Sequence, residues 1–367
     1  MQFSIQREAL LKPLQLVAGV VERRQTMPVL SNVLLVIEGQ TLSMTGTDTE
    51  VELVGRVTLE EPAQAGEITV PARKLMDICK SLPNDAVLDI RLEEQKLTIK
   101  SGRSRFTLTT LPADDFPSVE DGPGSLTLNI EQSKLRHLIE RTSFAMAQQD
   151  VRYYLNGLLL ELRSGLLRAV ATDGHRLAMC SVPTGIEKAD VHQVIVPRKG
   201  ILELARLMNN DAEHANIVLG NNHIRATTSE FTFTSKLVDG KFPDYERVLP
   251  RGGDKVILAD RQGLKEAFSR TAILSNEKYR GIRLHLQSGL LNIQANNPEQ
   301  EEAKEEVSVD YAGEQLDIGF NVSYLLDVLT VMSTEQVRMI LSDSNSSALL
   351  QESDNDASAY VVMPMRL

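Results

Sequence analysis

The residues best suited to chemistry sit together near the middle of the chain. Asp173, Gly174, His175 and Arg176 gather a carboxylate, an imidazole and a guanidinium around one flexible glycine. With Ser181 a few residues on, this is raw material for a hydrolase, in which a carboxylate orients an imidazole base that activates a hydroxyl. The flanking pattern argues against that use. Thr47-Asp48 and Thr172-Asp173 each stand between two alternating apolar runs, at matching places in what reads as a repeat. After that pair the first copy continues Thr49-Glu50-Val51, and the corresponding third-copy stretch is Asn296-Asn297-Pro298. A base present in one copy and unsupported by any further motif reads as a recognition or structural histidine, and no catalytic residue is assigned. Neither a P-loop nor a GxGxxG fingerprint is present.

Composition narrows the field further. The chain has 367 residues, 42% hydrophobic and 24% charged, which suits a soluble protein of two or three domains. No apolar run approaches the roughly 20 residues that span a bilayer. The opening Met1-Gln-Phe-Ser-Ile-Gln-Arg lacks the basic and apolar regions of a secretory signal, so a cytoplasmic protein is expected. Cys79 and Cys180 are the only cysteines, and the histidines are scattered, so neither a disulfide framework nor a metal site is expected. No cofactor is expected either.

The elements that position the central stretch repeat three times. Each copy opens with a short strand-like run and an amphipathic helix: Phe3 to Gln6 before Arg7, Leu126 to Ile130 before Gln132, and Val256 to Ala259 before Arg261. Leu10 and Leu14, Leu135 and Ile139, and Leu264 and Phe268 then fall on one helical face. Pro13 is the exception, and a kink or late start of the first helix is expected there. The second helix of each copy follows Pro71, Pro197 or Asn321, residues suited to a helix start. One apolar stripe recurs in it: Leu75, Ile78, Cys79, Leu82; Ile201, Leu204, Ala205, Met208; Leu325, Val328, Leu329, Met332. Cys79 on that stripe reads as a small buried hydrophobe. Alternating strands lie between and after the helices, and Phe106 and Phe231 keep the offset of the two Thr-Asp pairs. The fold class is α+β, three tandem copies of a domain with two helices on an antiparallel sheet. The turn-rich stretches 121–125 and 250–254 place the limits at 1–122, 123–253 and 254–367.

Charge is segregated. The chain carries a net charge of −11, which argues against indiscriminate binding to nucleic acid. Yet all the helical segments except 322–332 are net basic, so the remainder is more acidic than the whole. Helices sharing one face would give an electropositive surface on a negative body, a footprint for a polyanion. The linker-proximal run Gln148 to Tyr154 adds a polar loop with adjacent aromatic rings able to stack on bases, although the pattern equally permits a strand start.

Several longer motifs carry a resemblance: Gln149 to Gly157, Thr172 to Leu177, Val196 to Gly200, Phe242 to Tyr245, Ile273 to Lys278, Ala295 to Glu302 and the terminal Tyr360 to Leu367. Together they resemble the bacterial DNA polymerase sliding clamps, the beta subunits of the replicative DNA polymerase III holoenzyme, over the whole length of the chain. The resemblance implies the DNA clamp fold and a head-to-tail homodimer whose six similar domains form a ring around duplex DNA, helices inside and sheets outside. Such a ring holds DNA topologically and without sequence preference, and confers processivity instead of catalysing a reaction. It also accounts for an acidic protein acting on DNA, since sliding needs diffuse attraction and few base contacts.

The same resemblance implies site residues. DNA contacts fall on Arg24, Arg73, Gln149, Tyr153 and Tyr154, with Arg198 and Lys199 beside them. The clamp loader, the polymerase alpha subunit and other polymerases or repair proteins dock short linear peptides in a groove. One wall is Leu155, Thr172, Gly174, His175, Arg176, Leu177, Pro243, Arg247 and Val248. The other is Tyr279, Asn321, Tyr324, Asn345, Ser347, Val361, Val362, Met363, Pro364, Met365 and Arg366. A tail reading Val-Val-Met-Pro-Met is apolar for a free terminus, and methionine suits an adaptable surface serving several partners; a terminal strand completing a sheet is the plainer alternative. The dimer contact pairs the first domain with the third. It places Arg103 and Arg105 against Glu301, Glu302 and Glu305, around an apolar centre of Phe106, Leu108, Ile273 and Leu274. Two residues depart from the family pattern: Asn345, where an aliphatic residue is common, and Lys304, which interrupts an acidic run and costs little if it points to solvent. On residue patterns alone, a monomeric three-domain adaptor that never touches DNA remains the competing class.

Overall fold

The structure is a computed structural model that describes residues 1–21, 27–117, 119, 124–186 and 191–366. Its helices are α1 (Arg7–Ala18), α2 (Ala72–Ser81), α3 (Gln132–Thr142), α4 (Arg198–Leu207), α5 (Arg261–Thr271) and α6 (Val322–Val331). The chain divides into two compact units, Met1–Ser133 with Leu202–Leu237, and Lys134–Ile201 with Val238–Leu367. The division falls inside α3 and α4 and so cuts the second repeat in two, which the sequence pattern did not suggest.

Each unit is built on one plan. In the first, a four-stranded antiparallel sheet runs Gln2–Gln6, Val87–Glu93, Lys96–Ser101, Ser104–Thr109. Its eight-stranded sheet runs Gly66–Pro71, Asn32–Glu38, Thr41–Thr47, Val51–Thr58, then Phe231–Lys236, His223–Thr227, His214–Gly220, Gly124–Glu131. Four strands of the first repeat thus join four of the second, through a seam that sets Leu53 opposite Phe233. In the second unit the eight-stranded sheet runs His192–Pro197, Gly157–Arg163, Leu166–Thr172, Arg176–Pro183, then Asn355–Val362, Ala348–Glu352, Gln336–Leu341, Lys255–Asp260. Its seam sets Ala178 opposite Tyr360. The second unit's four-stranded sheet is Glu302–Ser308, Leu290–Asn296, Gly281–Gln287, Leu316–Asn321.

Helix stripes and sheet faces meet as the repeat requires. Leu10, Leu14, Leu135, Ile139, Leu264 and Phe268 are all buried, and the second-helix stripe is buried except for half-buried Ile78 and Ala205. Cys79 lies in that core, where burial pushes its thiol up to about 11. The late start expected at Pro13 does not occur: α1 runs from Arg7 through Pro13 to Ala18. Pro13 is buried instead, and a Cβ at Gly55 on the neighbouring strand would come within 2.9 Å of it. A Cβ at Gly46 would likewise meet Val17 at 2.7 Å, so two glycines let α1 settle close on the sheet. The Phe106 equivalence shifts by two residues. Following the ladders outward, Phe3 leads through Ile90 and Ile99 to Phe106, and Leu128 leads through Ile217 and Ala226 to Phe233, not Phe231. In the third repeat Ile257 leads through Met339 and Leu350 to Tyr360. Among the described residues no helix is long and apolar enough to cross a membrane.

Candidate functional site

The central motif closes a tight turn between Leu166–Thr172 and Arg176–Pro183. The Thr172 hydroxyl donates to the Arg176 carbonyl at 2.6 Å and accepts from the Gly174 N–H at 3.1 Å. Asp173 Oδ1 accepts from the N–H groups of His175 and Arg176 at 2.9 and 3.1 Å. Gly174 takes φ +89°, which glycine adopts without strain. Asp173 therefore serves backbone donors. His175 does not face a nucleophile: its ring stacks on Tyr324, with centroids 6.5 Å apart and planes 18° apart. Ser181 lies well along the following strand, at about 3.3 Å per residue, and accepts from Arg168 Nε at 3.1 Å. The base–nucleophile contact of a hydrolase is not made here.

Arg176 is the hub. Its Nε bonds Asp173 Oδ2 at 3.1 Å, Nη2 bonds the Phe144 carbonyl at 2.9 Å, and Nη1 pairs with Asp327 on α6. The guanidinium lies 4.6 Å from the Tyr324 ring centroid and 5.2 Å from that of Phe144. Five donors held in a plane match this mixture of carboxylates, carbonyl and aromatic faces, which a lysine would not satisfy. Burial, then Asp173, raises the Tyr324 phenol. The C-terminal tail is tied to the same place: the Met363 N–H donates to the His175 carbonyl at 3.0 Å, and the Met365 N–H to the Gly319 carbonyl at 2.8 Å. Met363 stays 44% exposed beside the His175–Tyr324 stack.

Under this surface lies an apolar cluster of Leu159, Val170, Leu177, Ile195, Phe242, Tyr245 and Val361, with Tyr154, Val238 and Leu249 packed against it. Of the residues expected on the wall, Leu177 and Val361 lie in this cluster, and Leu155, Val362 and Thr172 are buried as well. Asn321 caps α6, its side chain accepting from the Ser323 N–H at 2.9 Å. Other members, exposed or half-buried, line two hollows that share no lining residue. One, about 650 Å³, is lined by Arg247, Val248, Asn345 and Ser347. The other, about 800 Å³, is lined by Tyr279, Met365 and Arg366 together with Glu301 and Glu302. Pro243 is exposed and Pro364 half-buried. The sequence reading missed Asp327, Phe144 and Arg152. The signal for Asp327 was available: it is the acidic residue that sets 322–332 apart from the basic helices.

Of the residues expected at DNA, Arg24 lies outside the described residues. Arg73 is exposed on α2, in the other unit from the rest. Gln149 is exposed, and Tyr153–Leu155 forms a 3-10 turn in place of a strand start. Tyr153 is 57% exposed and meets half-buried Tyr154 edge-on at 5.9 Å. Arg198 joins this neighbourhood through its N–H, which donates to the Asn156 carbonyl at 3.0 Å, with half-buried Lys199 next to it. Arg152 fastens the loop to the turn: it grips Asp150 at 2.8 and 3.0 Å and reaches the Asp173 carbonyl at 3.4 Å. Those bonds draw the Asp150 carboxyl down to about 2.

The residues expected at a dimer contact lie on or beside two outer strands. Ser104–Thr109 ends one four-stranded sheet and Glu302–Ser308 ends the other. Arg103 and Arg105 are exposed and Phe106 half-exposed, whereas Leu108 is buried. Ile273 is 75% exposed, with Leu274 half-buried beside it. Glu305 is held within the chain by Arg270, which takes both its oxygens at 2.7 and 2.9 Å and lowers its pKa. Lys304 is exposed but pairs with Glu302 at 3.1 Å.

Comparison with known proteins agrees with this architecture. Family models for the N-terminal, central and C-terminal domains of the DNA polymerase III beta subunit match residues 1–120, 129–244 and 246–366. Beta sliding clamps from Pseudomonas putida and Escherichia coli are 79% and 53% identical over 367 residues, covering all of both chains. A crystal structure of the Pseudomonas aeruginosa sliding clamp with a ligand superposes with a TM-score of 0.99 at 78% identity, again over the whole of both chains. Another from that organism, bound to griselimycin, gives 0.98 at 78% identity with the same coverage. The chain therefore belongs to the DNA polymerase III beta subunit family, the beta sliding clamps, which are processivity factors of DNA replication and not enzymes.

Proposed function

We propose that two copies of this chain close head to tail into a ring around duplex DNA. The observation that carries this is the repeated seam. Twice within the chain, the outer strand of one half-repeat pairs with the outer strand of the next, Val51–Thr58 with Phe231–Lys236 and Arg176–Pro183 with Asn355–Val362. The same step leaves Glu302–Ser308 without a successor and Ser104–Thr109 without a predecessor. Open edges of this kind invite pairing with another chain, and pairing them between two copies closes the assembly. At the second seam Phe144 sits 6.1 Å from Tyr360. The equivalent residues at the open edges are exposed Ile273, the same distance beyond the first helix's start, and Phe106. Arg103 beside one edge and Glu301 and Glu302 at the other add opposite charge.

The three domains are taken as 1–122, 123–253 and 254–367, with the basic helices toward DNA and Arg24, Arg73, Gln149, Tyr153, Tyr154, Arg198 and Lys199 as its contacts. The polymerase alpha subunit, the clamp loader and repair proteins dock peptides on the surface formed by His175, Arg176, Tyr324 and Met363 and in the two flanking hollows. The griselimycin complex of the Pseudomonas aeruginosa relative supports a ligand-binding surface in this family. The ring works in the cytoplasm.

Topology supplies the test. Loaded on nicked circular DNA, the protein stays bound, and it is released when the circle is linearised; retention on linear DNA with free ends overturns the ring. A solution mass near twice 40.7 kDa is expected, and a strict monomer at micromolar concentration favours the adaptor instead. Removing residues 363–367 abolishes binding of a polymerase-derived peptide and leaves the dimer; unchanged peptide affinity refutes the groove.

A further inference from the structure

The internal seams fix a register that can be carried to the open edges. On the first-repeat side, the ladders traced above make Phe106 equivalent to Phe233 and Tyr360, so Arg105 is equivalent to Thr232 and Ala359. On the third-repeat side, each half-sheet is anchored where its last strand meets the second helix: Asn32 opposite Pro71, Gly157 opposite Pro197, Gly281 opposite Asn321. Two residues on, Leu34 leads through Thr45 to Val54, Leu159 through Val170 to Met179, and Arg283 through Gln294 to Lys304. Val54 stands opposite Thr232 at the first seam, and Met179 opposite Ala359 at the second. By the same rule Lys304 meets Arg105.

We propose that Lys304 of each copy stands directly opposite Arg105 of the other, a like-charge pair that loosens the ring at both of its interfaces. The inference rests on the dimer reading above and gives it a register. The faces agree. Lys304, like Glu302 and Glu306, points to the outer face of its strand, while half-buried Ala303, Glu305 and Val307 face inward. Arg105 alternates in the same way with inward Phe106 and Leu108. Phe106 then falls opposite Ala303, small enough to leave its ring room, and Arg103 falls opposite Glu306 in an attractive pair. Both internal seams carry uncharged residues at the Lys304–Arg105 position. Directly opposed like charges are unfavourable on a sheet surface. The Lys304–Glu302 pair within one chain offsets only part of the repulsion, because both groups are exposed and solvated.

The experiment measures the dimer dissociation constant by sedimentation at low salt for the wild type, K304E, R105A and the double variant. K304E tightens each interface by about threefold, so about tenfold for a ring with two. In the R105A background that gain disappears. R105C/K304C, oxidised, gives a covalently closed dimer, while Cys79 and Cys180 stay silent because they are buried. A dimer in which K304E brings no gain, or in which R105C cross-links to E302C or E306C in preference to K304C, overturns the register and leaves the ring standing. A monomer in every variant overturns both.

Discussion

At the first seam the turn ahead of the seam strand is held by Thr47 and Asp48, and at the second by Thr172 and Asp173, bond for bond. The Thr47 hydroxyl donates to the Val51 carbonyl at 2.9 Å and accepts from the Thr49 N–H at 3.0 Å, as Thr172 does with Arg176 and Gly174. Asp48 Oδ1 accepts from the Glu50 and Val51 N–H groups at 2.9 and 2.7 Å, as Asp173 does from His175 and Arg176. What differs is what the backbone carries. The first turn has Thr49, exposed Glu50 and buried Val51; the second has Gly174, His175 and Arg176. One side chain buried in a core has been exchanged for a guanidinium that gathers Asp327, Phe144 and Tyr324 at a surface. The two turns share one geometry and differ in the side chains it carries.

The largest way to break this comparison is to truncate the exchanged residue in each copy. Arg176→Ala removes the guanidinium from Asp173 Oδ2, Asp327 and the Phe144 carbonyl, costing about 3 kcal/mol in denaturant unfolding and at least about tenfold in peptide affinity by fluorescence polarisation. Val51→Ala costs about 2 kcal/mol and leaves peptide affinity unchanged. If both variants bind peptide equally, the two turns do not differ in function.

The next contrast lies on the seam strands themselves, where Gly55 and Cys180 occupy equivalent places. Gly55→Ala drives a methyl to within 2.9 Å of Pro13 and is expected to cost about 2 kcal/mol in thermal unfolding. Cys180→Ala, which only removes a buried sulfur that accepts from Ser358 at 3.3 Å, costs about 1. The shared scaffold is tested by Thr47→Val and Thr172→Val. Each leaves the N–H two residues on without its hydroxyl partner and removes a bond to the carbonyl four residues on, at about 1 kcal/mol, although the Val51 carbonyl keeps the Asp48 N–H at 3.2 Å; equal losses sharpen the equivalence. The smallest effects have opposite signs. Thr49 is held at φ 78°, strained for a β-branched residue, so Thr49→Gly stabilises by about 1 kcal/mol, while Gly174→Ala at φ 89° destabilises by about as much. A loss of stability in both would show that the turns differ in backbone as well as in side chains.

Much of this was legible in the residues. The helix stripes and the Thr-Asp pair follow from periodicity and local hydrogen bonding, which act over a few residues, so the scaffold role of Asp173 could be read without coordinates. The site was legible only in part. Leu155, Leu177, Val361 and Val362, expected on an exposed wall, are buried, because alternation marks which face is apolar and not whether another layer covers it. Glu305 looked available for another chain, and Arg270, on a different element, takes it. Asn321, expected on the wall, also caps α6 with its amide oxygen, a role its position before the second helix had suggested.

By itself, then, the sequence determined the three-fold repeat, the buried stripe of each helix and the turn at the centre, since each depends on neighbours along the chain. Only the tertiary structure decided that α1 keeps Pro13, that Phe106 answers to Phe233, and that Arg176 is bound by Asp327 on α6. Those outcomes depend on which distant strand or helix comes to lie alongside, and hydrogen-bond register and close packing settle that in space.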